Sequence, residues 1–139
     1  VTGTAKAPRI KKRVLFVCVE NSNRSQMAEA FAHLLGGDAV DAWSAGSRPS
    51  GLINPKAIRA MAERGYDLTT HTSKSLDEIQ GEAFDAVITM GCGDACPWVP
   101  ASLHEDWALA DPRNLDETSY RSTRDEIEKR VSELLAKLA

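Results

Sequence analysis

The sequence predicts a single α/β domain built on a parallel sheet, and three observations carry that expectation. Short β-branched or aromatic runs recur along the chain, each followed by a Gly-, Asn- or Pro-containing break. Stretches with apolar residues at helical spacing alternate with those runs. The length of 139 residues suits one hydrophobic core. Alternating strands and helices favour parallel strands covered on both faces.

The elements follow in order. Residues 13–18 (RVLFVC) form the first strand, a buried one by composition. Residues 25–35 (SQMAEAFAHLL) place Met27, Ala30, Phe31, Leu34 and Leu35 at helical spacing, and Gly36-Gly37 ends that helix. Residues 40–45 read as a second strand. Asn54 caps and Pro55 opens a helix with Ile58, Met61 and Ala62 on one face and Gly65 after it. A short helix is expected at 76–80, a third buried strand at 83–90 (AFDAVITM) and a short strand at 105–109. The last element, 119–138, aligns Ile127, Val131, Leu134, Leu135 and Leu138 as a long amphipathic helix. Ligands of such sheets sit beyond the carboxyl ends of the strands, which brings Cys18 and the loops after Met90 and Leu109 together.

Composition excludes several classes. Hydrophobic residues make up 42% and charged residues 27%, which argues against disorder. No apolar run approaches the roughly 20 residues that span a bilayer. A net charge of -3 disfavours nucleic-acid binding, so any attraction for an anion must be local. Residues 1–12 are expected to form a flexible tail ahead of a catalytic domain at 13–139. With no signal-peptide core after that tail, the cytoplasm is the expected compartment. Three cysteines there suggest reactive thiols in preference to a disulfide framework.

The segment from Cys18 to Ser25 (CVENSNRS) joins a strand to a helix N-terminus. Its backbone N–H groups, from Val19, Glu20, Asn21, Ser22 and Asn23 onward, can curl around an anion, and the helix dipole adds positive potential. Arg24 supplies a planar fork for two oxygens of a phosphate-like group. Cys18 then faces the bound anion, with Ser25 and the same N–H groups favouring its thiolate. A lone cysteine is ordinarily a small buried residue. Nucleophile, cradle and clamp within eight consecutive residues outweigh that reading. The nucleotide-binding glycine-rich loop is excluded, because its Gly pair and Lys-Ser/Thr are missing.

The run VLFVCVENSNRSQMAEAF, with WSAG, NPKAI, HTSK and the later DP, resembles the low-molecular-weight protein tyrosine phosphatase superfamily. Within it, the chain is most similar to arsenate reductases coupled to thioredoxin or a similar thiol donor. The resemblance covers residues 13–138. It implies a flavodoxin-like three-layer fold with four parallel strands in the order 2-1-3-4. It also implies that Cys18 is the nucleophile, Arg24 the oxyanion clamp, Asn21 the support of the loop's unusual backbone and Ser25 the thiolate's partner. Asp111, in Asp111-Pro112, would be the general acid; on composition alone, an Asp before Pro is more often a turn residue.

Cys92 and Cys96, in MGCGDACPW, separate reduction from hydrolysis. A phosphatase needs only Cys18, Arg24 and an acid, whereas a reductase needs thiols to carry two electrons away. The expected relay runs from a Cys18 adduct of arsenate to a Cys18–Cys92 disulfide and then to Cys92–Cys96. Gly91 and Gly93 give that segment room to move. The spacing of the pair is shorter than in the better-known thioredoxin-coupled members. Phosphomonoester hydrolysis is the rival enzyme reading, and a thiol-based arsenite or metal sensor the non-enzymatic one. A zinc site would need His33, His71 or His104 to complete it, none closely spaced to the cysteines, so neither a metal nor another cofactor is expected. Partners are then an oxyanion and a thiol reductant, acting on a monomer.

Lesser features remain. Some thioredoxin-coupled members hold a monovalent cation through positions matching Asn21, Glu29 and Ser44. Lys74 stands where their carboxylate would be, so its ammonium is expected to pair with Glu29 and remove any need for potassium. Glu20 is expected to point outward, His71 to bond locally, and Trp107 to lie in the core. Trp98, just after Cys96-Pro97, is a candidate for a reductant-docking surface.

Overall fold

The structure, a computed structural model, describes residues 11–91 and 97–139. Four parallel strands, β1 (Lys12–Cys18), β2 (Val40–Gly46), β3 (Phe84–Thr89) and β4 (Ala101–Asp106), form a sheet in the order β2-β1-β3-β4. Three helices, α1 (Arg24–Gly36), α2 (Pro55–Ala62) and α3 (Glu117–Leu138), pack on one face. There Val14 and Phe16 of β1 meet Met27 and Phe31 of α1, Met61 of α2 and Ile127, Val131 and Leu134 of α3. On the other face, Leu15, Val17, Ala45 and Val87 are covered by a 3-10 helix at Leu76–Ile79, with Val99 packed alongside. This is the flavodoxin-like arrangement, and the order reverses at β1, beside the end of which a ligand site is expected.

Several elements differ from the sequence expectation. Lys12 already belongs to β1, so the strand begins inside the segment assigned to the tail. β4 starts four residues before the expected 105–109 and ends at Asp106, overlapping it by two residues. Its sequence ASLHED is polar and alternates between half-buried and exposed, as suits an edge strand with one wet face. The apolar residues that suggested 105–109 follow the strand, where Trp107 is buried in the core and donates its N–H to the Thr89 carbonyl at 2.8 Å. In α2 the buried stripe is Ala57, Ala60 and Met61, while Ala62 is exposed. Leu34 and Leu35 are largely exposed, although Leu35 still packs against the edge of the core. Asp116 caps α3 by accepting from the Ser119 N–H, so the helix starts two residues before 119.

Candidate active site

Cys18 ends β1 at 3% exposure. Beyond it the chain curls before entering α1, and neighbouring loops hold the outside of the curl. The carbonyls of Val19, Glu20 and Ser22 accept from the N–H groups of Arg48 (2.8 Å), Ser50 (3.0 Å) and Asn54 (3.1 Å). The concave side is then left to the loop's own N–H groups. Gly46, at the end of β2, lets this curl close: a Cβ there would stand 2.5 Å from the Val19 oxygen.

Asn21 is the one non-glycine with positive φ among the described residues, at 51°, a conformation that Asn tolerates better than most residues. Its carboxamide is fully used. Nδ2 donates to Ser25 Oγ at 2.8 Å, while Oδ1 accepts from Lys74 N (2.8 Å) and Gln26 Nε2 (2.9 Å). Ser25 Oγ, which accepts from Asn21, lies 2.8 Å from Cys18 Sγ, and its own proton is free to be donated to a Cys18 thiolate. That arrangement suits a thiolate.

Asn23 occupies the N-cap position of α1 but makes no capping bond. Its Oδ1 accepts instead from the hydroxyl of Tyr120 on α3 at 2.7 Å. Burial, reinforced by the charge of Asp111, pushes the Tyr120 hydroxyl well above its usual range and keeps it a neutral donor. No N-cap side chain therefore competes with an anion for the first N–H groups of α1. Arg24 opens the helix, and its Nη1 donates to the carbonyls of Met90 (2.6 Å) and Leu109 (2.7 Å). One guanidinium thus ties together the ends of the three strand loops that the sequence placed side by side.

These groups line a cleft of about 470 Å³, with Cys18 and the walls Val19, Glu20, Ser22, Asn23, Arg24 and Asp111. Asn21 and Ser25 lie buried behind it. Asp111 is both a turn residue and a wall. Its Oδ1 caps the 3-10 helix Pro112–Asn114 by accepting from Arg113 N at 3.0 Å. Sequence reasoning missed Arg48 and Arg113, which also line the cleft. Arg113 pairs with Glu20 at 2.6 Å and lies 3.5 Å from the Asp111 carboxylate. Glu20 is therefore partnered across the mouth instead of pointing freely to solvent. Cys92 and Cys96 fall outside the described residues. Gly91, just before them, has φ 76°, and a Cβ there would lie 3.5 Å from the Leu109 oxygen and 3.8 Å from Arg24 Nη1.

Residues 13–139 match the family described as low molecular weight phosphotyrosine protein phosphatase. The chain belongs to that family. Among its relatives, a glutaredoxin arsenate reductase from Synechocystis sp. is 39% identical over 92% of this chain and 99% of its own length. Arsenate reductase 1 of Staphylococcus epidermidis is 42% identical over 84% of this chain and 90% of its own. A solved arsenate reductase in a phosphate-binding state superposes with a TM-score of 0.85 at 39% identity, covering 92% of this chain and 99% of that one. A thioredoxin-dependent arsenate reductase of Corynebacterium glutamicum gives 0.75 at 36% identity, covering 96% of this chain and 63% of that one.

Behind the phosphatase-family loop lies a second polar cluster. Glu29 Oε1 accepts from Ser44 Oγ at 2.6 Å and stands 3.9 Å from Lys74 Nζ, so the lysine does reach the carboxylate. His33 (3.2 Å) and His71 (3.6 Å), which the sequence did not connect, approach Oε2. The Glu29–His33 spacing of four residues on a helix was a signal that would have found half of this cluster. Burial pushes Glu29 up, but His33, His71, Ser44 and Lys74 together hold it below its ordinary value. Burial pushes His71 down against the attraction of Glu29. His71 bonds locally as expected, to Tyr66 OH at 2.6 Å and Gln26 Oε1 at 2.9 Å. Trp98 is 73% exposed and stacks on His104. No helix among the described residues is long and apolar enough to cross a membrane.

Proposed function

We propose that the chain reduces arsenate to arsenite, with Cys18 as nucleophile. The observation that carries this reading is the floor of the cleft. There the Cys18 sulfur lies 2.8 Å from the Ser25 hydroxyl, beside a helix N-terminus with no capping side chain. Two of the relatives are named arsenate reductases, which selects arsenate among tetrahedral oxyanions.

In this reaction the Cys18 thiolate attacks arsenic while Asp111 protonates the departing oxygen, which leaves as water. Nη1 of Arg24 is held by main-chain carbonyls, so its remaining N–H edge clamps two arsenate oxygens. Cys92 then attacks the Cys18 sulfur. The S–As bond breaks, its electron pair stays on arsenic, arsenite leaves, and a Cys18–Cys92 disulfide remains. Cys96 attacks Cys92, freeing the Cys18 thiolate, and an external dithiol reduces the Cys92–Cys96 bridge. The reductant class is a thiol protein: one relative is named for glutaredoxin and another as thioredoxin-dependent. We take a monomer in the cytoplasm as the working unit.

Arsenate-dependent NADPH oxidation tests this, run in parallel with thioredoxin plus its reductase and with glutaredoxin, glutathione and glutathione reductase. Cys18→Ser and Cys92→Ser should abolish turnover, with hydrolysis of p-nitrophenyl phosphate retained in Cys92→Ser. Full arsenate turnover in both Cys92→Ser and Cys96→Ser would rule out the relay and put an external thiol in direct attack on the Cys18 adduct, whereas a wild type that hydrolyses p-nitrophenyl phosphate without turning over arsenate would leave the hydrolytic reaction of the family as the better reading.

A further inference from the structure

The geometry points to Glu20 and Arg113 as a clasp that sets substrate size, admitting an inorganic oxyanion and disfavouring an organic phosphate ester. This inference deepens the proposed function and rests on its oxyanion site. A carboxylate within an anion-binding loop repels the ligand unless its charge is neutralised. Arg113 does so at 2.6 Å, from a position 93 residues away on the opposite wall. Its base is held in place. Asp111 caps the turn, while Lys56 Nζ donates to the Leu115 and Arg113 carbonyls at 2.7 and 3.3 Å.

Both side chains of the pair are partly exposed, whereas Cys18 is buried, so the pair bridges the mouth and the sulfur forms the floor. A leaving oxygen departs in line with and opposite to the attacking sulfur. In an ester, that oxygen carries the organic group, which must pass Asp111 and the adjoining Arg113. Arsenate and phosphate have only an oxygen there and fit beneath the closed pair. An ester requires the pair to part, and among the described residues no aromatic ring lines the cleft to compensate by stacking.

Binding without turnover tests the clasp. The rate of iodoacetamide labelling of Cys18 is read by peptide mass, with protection by inorganic phosphate compared against phenyl phosphate. Both are measured in the wild type, Glu20→Ala, Arg113→Ala, Arg113→Lys and the Glu20→Ala/Arg113→Ala double variant. The ratio of the two apparent dissociation constants should shift towards phenyl phosphate by about two- to fivefold in either alanine variant, the range an exposed ion pair can hold. It should shift no further in the double variant, and Arg113→Lys should stay near the wild type. An unchanged ratio in the single variants, or additive shifts in the double variant, would overturn the clasp. If phosphate fails to protect wild-type Cys18, the oxyanion site itself is refuted, and the clasp with it. Loss of arsenate turnover with protection intact refutes only the reductase reading.

Discussion

At the scale of single residues, the site depends on which atom donates to which. Ser25 Oγ accepts from Asn21 Nδ2 and still has its own proton to donate, which it must do when Cys18, 2.8 Å away, is a thiolate. Replacing Ser25 by Ala removes the one side-chain hydrogen bond made to the sulfur among the described residues. Iodoacetamide labelling of Cys18 at pH 7 should slow by about tenfold, as expected for losing a hydrogen bond to a charged group of roughly 1.5 kcal/mol or more. Thermal stability should change little by comparison. Equal labelling rates in the two proteins would remove Ser25 from the nucleophile's support. Cys18, Asn21, Arg24 and Ser25 were legible in the sequence because one strand–loop–helix junction holds them all. Arg113 and Arg48 were not, because their place at the cleft comes from folding distant segments together.

At the scale of elements, α3 supports chemistry it does not perform. Tyr120 reaches from its first turns to Asn23, turning that carboxamide away from the helix N-terminus it would otherwise cap. Tyr120→Phe keeps the buried ring and deletes only the hydroxyl. The variant should lose about 1–2 kcal/mol of stability by urea unfolding, because Asn23 Oδ1 is left buried without its donor. Phosphate should also bind more weakly, since Asn23 is then free to bond the N–H groups of α1. Unchanged phosphate affinity would show that Asn23 does not control the helix end. The helical period revealed α3 and its Ile127, Val131 and Leu134 stripe, but not this polar tie, since a buried tyrosine in a helix reads only as core. β4 was misplaced for the converse reason. An edge strand needs only one apolar face, and the cluster after it looked more like a strand than ASLHED did.

At the scale of the whole molecule, Glu29 joins α1 to β2 and to the segment carrying His71 and Lys74. This tertiary cluster gives the fold a defined acid limit. His71 titrates below its ordinary 6.5 because it is buried, so as pH falls through 6.5 the unfolded chain takes up a proton that the fold resists. Stability therefore drops from that pH down to the folded value. Glu29 titrates below 4.5, burial being outweighed by its four partners, so its contribution is complete above 4.5 and disappears as pH falls through the lower folded value. Urea unfolding between pH 7 and 3.5 should show two descending ranges, to which His71 and Glu29 each add at most about 1.4 kcal/mol per pH unit, the limit for one proton. Glu29→Gln should make the lower one shallower without removing it, because other carboxylates, Glu105 and Asp106 among them, are also held below their ordinary values. It should also widen the upper one, since removing the carboxylate's attraction leaves His71 harder to protonate. His71→Gln should flatten the upper range and also narrow the lower one, since Glu29 loses one of the partners that hold it down. A wild type equally stable at pH 7 and 5, or a Glu29→Gln protein with the same acid limb as the wild type, would mean that the cluster does not carry the pH dependence of the fold.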